Sequence, residues 1–144
     1  MRIRPKKPKI VYVKRKDKRL QYGRFIGLAN YKDNKIYIDE TLTEEQRRIT
    51  LHHEKGHFIL RQLDKDLNDK KVIKELINTG FWKSRVRDGY NKNRILEEIF
   101  VETRALIKTG IYSKRGWEMT TFKNYPHTYK YFKKLFKEVD TLWK

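Results

Sequence analysis

The sequence predicts an α+β fold, a small sheet of about three mostly antiparallel strands packed on several helices. Two observations carry this. Strand-like composition is confined to the N-terminal third, at Ile10–Val13, Tyr22–Tyr31 and Lys35–Asp39. From Thr43 onward apolar residues recur at helical spacing instead. Strands followed by helices, rather than alternating with them, is the α+β order. With 144 residues the chain is read as one domain, 1–144, large enough for a core without staples.

Residues 1–9 read as a flexible basic arm, because Pro5 and Pro8 prevent regular structure. Ile10–Val13 is the first strand, and Lys14 to Arg19 is a charged, solvated turn. The second strand spans Tyr22–Tyr31, with Gly23 and Gly27 marking bends or a close backbone approach. Lys32-Asp33-Asn34 is turn chemistry, so Lys35–Asp39 returns as a hairpin partner. That third strand is expected at the sheet edge, where it would be open to an extended peptide.

The first helix starts at Thr41 or Thr43, since Thr41 with Glu44 and Thr43 with Gln46 both suit a capping box. It runs to about Leu63, with Glu44 and Glu45 favoured at its positive end. A second helix runs from Asn68 or Asp69 to Asn78, stopped by Gly80, with Val72, Ile73, Leu76 and Ile77 on one face. Residues 81–92 read as a connecting loop anchored by Phe81 and Trp82. Asn93 to Thr109 is a strong helix that buries Ile95, Leu96, Ile99, Phe100, Leu106 and Ile107 and ends at Gly110. Glu98 and Glu102 lie at the margin of that face, while Glu97, Arg104 and Lys108 point elsewhere. Ile111 to Tyr125 is irregular, and Pro126 opens a last amphipathic helix reaching about Leu142.

Composition narrows the chemistry. There are no cysteines, which excludes disulfides and thiolate metal sites. No apolar run reaches membrane-spanning length, and the basic N-terminus lacks the apolar core of a signal peptide, so a cytoplasmic protein is expected. The 36 Lys and Arg against 18 Asp and Glu give a formal net charge of +18. Residues 1–24 hold eleven of the basic side chains and one acid, Asp17. Such a surface suits nucleic acid or another polyanion, and it equally suits the charged exterior of a thermophile protein.

The functional signal is His53-Glu54-Lys55-Gly56-His57, in the middle of the first helix. Residues four apart share a helix face, so His53 and His57 can hold one metal ion between them. Glu54 stands one step round, where a metalloprotease places its general base. Gly56 costs the helix about 1 kcal/mol against alanine, which points to a packing or access reason. A catalytic zinc site has three protein ligands, and the third must come from Glu98, Glu102 or His127.

Strand Lys35–Asp39, the His53-Glu54-x-x-His57 helix and a later acid-bearing helix together resemble the gluzincin metallopeptidases. The similarity is to the small soluble minigluzincins and, more distantly, to the peptidase domains of ImmA/IrrE-type proteins. It covers roughly residues 20–110. The resemblance implies a zincin-like fold, a Zn2+ cofactor on His53 and His57, and Glu54 as general base. It implies Glu98 as third ligand, because Glu102 follows four residues later where that family keeps a second acid that hydrogen-bonds a ligand histidine. Glu102 is the alternative ligand. Val101 and Glu102 depart from the alanine and aspartate commoner there.

The expected function is zinc-dependent hydrolysis of peptide bonds in a peptide or protein substrate, with Tyr90, Tyr112 or His127 as candidates to stabilise the oxyanion. Two other readings stand beside it. One is a basic, nucleic-acid-associated protein with little or no proteolysis. The other is a latent peptidase covered by its C-terminal segment from Trp117 to Lys144.

Overall fold

The computed structural model describes residues 7–63, 67–110 and 125–142. The first six residues of the basic arm, most of the stretch expected to be irregular at 111–125, Tyr112 and the start of the C-terminal segment lie outside these. The fold is α+β, as the sequence predicts. Strands β1 (Lys9–Val13), β2 (Gly27–Asn30) and β3 (Lys35–Asp39) form one mixed sheet in the order β1-β3-β2. β2 runs antiparallel to β3 and β1 runs parallel to it.

The expected edge position of Lys35–Asp39 is corrected: β3 is the central strand, and β2 is an edge. The reason is burial on both faces. Ile36 and Ile38 pack with Phe58 of the first helix, while Tyr37 packs on the other side with Val13 and Leu20. The second strand is also shorter than expected. Gln21, Tyr22 and Gly23 have φ of 51°, 58° and 93°, a left-handed run that no strand accommodates. The charged turn before it contains a short 3-10 turn, Lys18–Leu20, capped by Asp17, whose buried Leu20 pins the excursion beneath the sheet.

Helix α1 (Glu44–Leu63) is opened by the capping box at Thr43. The Gln46 amide donates to Thr43 Oγ1 at 3.2 Å, and the Thr43 amide donates to Gln46 Oε1 at 3.1 Å. Helix α2 (Lys70–Leu76) is capped by Asp69; it buries Val72 and Leu76 but leaves Ile77 45% exposed. The expected loop at 81–92 is largely a helix, α3 (Gly80–Arg87). Thr79 caps it by accepting from the Trp82 amide, so Gly80 begins a helix rather than ending one. Trp82 does anchor it in the core, with Phe81 packed alongside.

Helix α4 (Lys92–Thr109) is capped by Asn91 and stopped by Gly110 at φ 67°. Its buried side is wider than the sequence suggests: Val101 and Arg104 are buried, while Ile107 is 40% exposed. Helix α5 (Pro126–Leu142) lies on α2, and its Phe132 and Phe136 rings each stand 5.2 Å from Phe100 of α4. Glu75 of α2 caps it, accepting from the amides of His127 and Thr128 at 3.0 and 2.7 Å. None of the described helices is long and apolar enough to cross a membrane.

Candidate metal centre

Helix α1 lies between the sheet and α4, and two close approaches fix it there. A Cβ on Gly27 of β2 would sit 2.5 Å from Thr50 Cγ2 and 3.3 Å from Glu54 Cγ. A Cβ on Gly56 would sit 2.9 Å from Val101 Cγ1 and 3.3 Å from the Val101 Cα. Gly56 therefore has a packing reason, which is to bring α4 against the motif.

That approach gathers three side chains. The Nε2 atoms of His53 and His57 stand 3.3 Å apart. Glu98 reaches both imidazoles, with Oε1 at 3.2 Å from His57 Nε2 and Oε2 at 3.6 Å from His53 Nε2. Among the described residues these three form the group able to hold a metal ion. Metal–ligand bonds of about 2.0–2.2 Å at tetrahedral angles separate ligand atoms by about 3.3–3.6 Å, and one donor atom from each of the three groups lies within 4.8 Å of the others, a set that can close on such an ion. Two imidazoles and a carboxylate suit zinc, and other divalent transition ions as well.

The acid hydrogen-bonded to the His57 imidazole is Glu97. Glu97 Oε1 accepts from His57 Nδ1 at 2.6 Å, which turns Nε2 toward His53 and Glu98. The expectation that Glu97 and Arg104 point elsewhere is thus overturned. Arg104 is buried, and its Nη1 donates to the His52 carbonyl at 3.2 Å. Glu102 is half-buried and stands outside the metal-ligand group. His127 is exposed at the α5 N-terminus, with its amide on Glu75.

Each titrating group has a distinct environment. Burial pushes His53 down to about 4, helped by the charge on His57. Burial opposes protonation of His57 too, but the bonds to Glu97 and Glu98 outweigh it and raise His57 to about 10. Burial opposes ionisation of Glu98, and the His57 bond reverses that, leaving Glu98 lowered. Burial raises Glu54, against the His57 charge and a hydrogen bond from the Ala29 amide of β2. The two imidazoles are thus pushed in opposite directions, His53 toward the neutral form by burial and His57 toward the charged form by two carboxylates.

Glu54, His57 and Glu98 line a cleft of about 340 Å³ between β2, α1 and α4, together with Leu28, Ala29, Tyr31, Arg94 and Glu97. Tyr31 was not read as a site residue. Its ring packs at a tilt against Phe58 at 4.9 Å and lies under Arg61 at 4.3 Å, and burial with the charges of Glu97 and Glu54 pushes its phenol up to about 12. It is therefore a neutral hydroxyl donor at any ordinary pH. The signal for it was position alone, at the end of the strand that approaches the motif. Tyr90 lies between Arg85 and Arg94.

No family model matches the chain, and comparison with curated proteins and with solved structures likewise returned no match.

Proposed function

We propose that the chain is a zinc-dependent metallopeptidase of the gluzincin type, with His53, His57 and Glu98 as ligands and Glu54 as general base. One observation carries the reading: two imidazole nitrogens and a carboxylate converge within 4.8 Å of one another, beside a cleft lined by His57, Glu98 and the glutamate Glu54, whose pKa burial raises. Zinc, when bound, acts as a Lewis acid on the scissile carbonyl and acidifies water. Glu54 would then remove the water proton and return it to the leaving amine, a task suited to a carboxylate whose basicity burial has raised. Tyr31 is the neutral hydroxyl available to the developing oxyanion. An extended substrate fits alongside β2, the edge strand whose Ala29 amide already faces Glu54.

The experiment is elemental analysis after dialysis against metal-free buffer, followed by a peptide-hydrolysis assay. Close to one zinc per chain is expected, with hydrolysis lost in Glu54→Gln and zinc retained. Wild-type hydrolysis by Glu54→Gln, or a protein that takes up no metal, overturns the reading.

A second reading rests on the loop before β2. Tyr22 is 77% exposed on its left-handed turn, and Lys14, Arg15, Lys16, Lys18 and Arg24 share the segment, whose acid Asp17 is already paired with Arg19 at 2.9 Å. An exposed ring among cations suits stacking on a single-stranded nucleic acid. Binding that weakens steeply with salt, survives Glu54→Gln and is lost in Tyr22→Ala would support it. The latent-enzyme reading gains nothing from α5, whose described side chains pack on α2 and α4 rather than line the cleft.

A further inference from the structure

The cleft is acidic at its centre and basic at one rim. Among the described residues, Glu54, Glu97 and Glu98 line it together with the His57 imidazole and one arginine, Arg94. Arg94 stands one helical turn before Glu97 and Glu98, and its guanidinium lies 4.0 Å over the Tyr90 ring. Behind it, Arg85 of α3 sits between Phe81 at 4.9 Å and Tyr90 at 5.6 Å. Both rings pack against the main core, so the platform under the two guanidiniums is seated. The Arg85 charge is felt at both His53 and Glu98, which puts it beside the metal group. Yet among the described residues neither guanidinium forms an ion pair with a carboxylate. Stacking on an aromatic face leaves the planar edge of an arginine free for a bidentate carboxylate.

We infer that Arg94, seated on Tyr90 with Arg85 behind it, is a subsite for a carboxylate of the substrate, so that favoured peptides carry an acidic group close to the scissile bond. The inference rests on the metallopeptidase reading above. It also gives the cleft a direction. A substrate carboxylate that does not reach the metal position is repelled by Glu54, Glu97 and Glu98 and drawn to the Arg94 rim. Its source is an Asp or Glu side chain or the peptide's own C-terminus.

The test uses full-length protein. Paired peptides differ by Glu against Gln at successive positions, or by a free against an amidated C-terminus. Their binding is measured by calorimetry on the zinc-loaded Glu54→Gln protein, and their cleavage on the wild type. The acidic member of one pair is expected to bind on the order of tenfold more tightly than its neutral twin. The position of that pair tells side chain from C-terminus. Adding Arg94→Gln should erase the difference and leave the zinc content unchanged. Arg87→Gln, which removes an exposed charge from the last turn of α3, should preserve it. Equal binding and cleavage of acidic and neutral peptides overturns the inference while the peptidase reading stands. So does an equal loss of preference in Arg87→Gln, which would be bulk charge, or a fall in zinc affinity in Arg94→Gln, which would make the guanidinium a support for Glu97 and Glu98. Zinc binding with no peptide bound or cleaved overturns both.

Discussion

The two faces of α1 are held by different means. Toward the sheet, the neighbour supplies the glycine: Gly27 of β2 lets the strand rest on Thr50 and Glu54. Toward α4, the helix supplies its own: Gly56 receives Val101. The first contact bears on the proposed base, held from β2 by the Ala29 amide. The second bears on the proposed ligands, because Val101 is one turn beyond Glu97 and Glu98 and Gly56 adjoins His57. Base and ligands are thus positioned by separate contacts, and each should be open to disturbance without the other.

The largest effect is expected on the sheet side. Gly27→Ala puts a Cβ 2.5 Å from Thr50 Cγ2, an overlap that forces β2 off the helix. We expect a loss of about 3 kcal/mol of stability, the upper end for overpacking, and at least a hundredfold loss of hydrolysis with zinc still bound. Thr50→Ser removes the offending methyl and should restore part of both; a denaturant titration and a metal assay on the single and double variants check this. If Gly27→Ala loses zinc as readily as it loses hydrolysis, the two faces are not independent.

Next comes the α4 side. Glu97→Gln keeps the shape but weakens the hold on His57 Nδ1, and a metal-ligand histidine deprived of its carboxylate partner costs roughly 10–100-fold in metal affinity. Competition with a chelator of known affinity measures it. Glu102→Gln serves as the comparison and should leave zinc affinity within about twofold, since Glu97 holds the imidazole. Gly56→Ala is milder. Its Cβ meets Val101 at 2.9 Å, but alanine returns about 1 kcal/mol of helix propensity against an overpacking cost of about 1–3 kcal/mol. Zinc affinity should fall by about tenfold as Glu98 is levered away from the histidines, with hydrolysis falling only in proportion to the zinc lost.

The same contrast explains what the sequence made legible. The His53–His57 face, the Thr43 capping box and the Gly110 stop are local signals, each complete within a few residues, and they appear where expected. Glu98, which the resemblance singles out four residues before a second acid, does stand beside His53 and His57. Glu97 was not legible. On α4 alone it sits off the apolar stripe, and only the Gly56–Val101 approach turns it toward α1. β3 was read as an edge from its hairpin turn, although the unbroken Ile36-Tyr37-Ile38 run was the sign of burial on both faces. What placed β1 beside it in parallel is a long-range pairing with no local signature. α3 was missed because Gly80 was read as a stop, while the Thr79 cap and the apolar pair Phe81-Trp82 pointed to a start.

The smallest and most specific prediction concerns protons on the α4 side. In the metal-free protein His57 is raised to about 10 and His53 is lowered to about 4. The raised His57 contributes stability that is full below its unfolded value near 6.5 and lost as pH rises through about 10. The lowered His53 contributes stability present above 6.5 and lost as pH falls through about 4. A metal needs both nitrogens unprotonated, so at neutral pH it must displace the His57 proton, while His53 and Glu98 have none to give. Calorimetry in buffers of different ionisation enthalpy should therefore find about one proton released per zinc at pH 7. Affinity should climb about tenfold per pH unit from roughly pH 5 and level off near pH 10. In Glu97→Gln the plateau should begin at lower pH, because the bond that holds the imidazolium is weakened. A plateau unmoved by that substitution would mean that Glu98 alone sets the charge of His57.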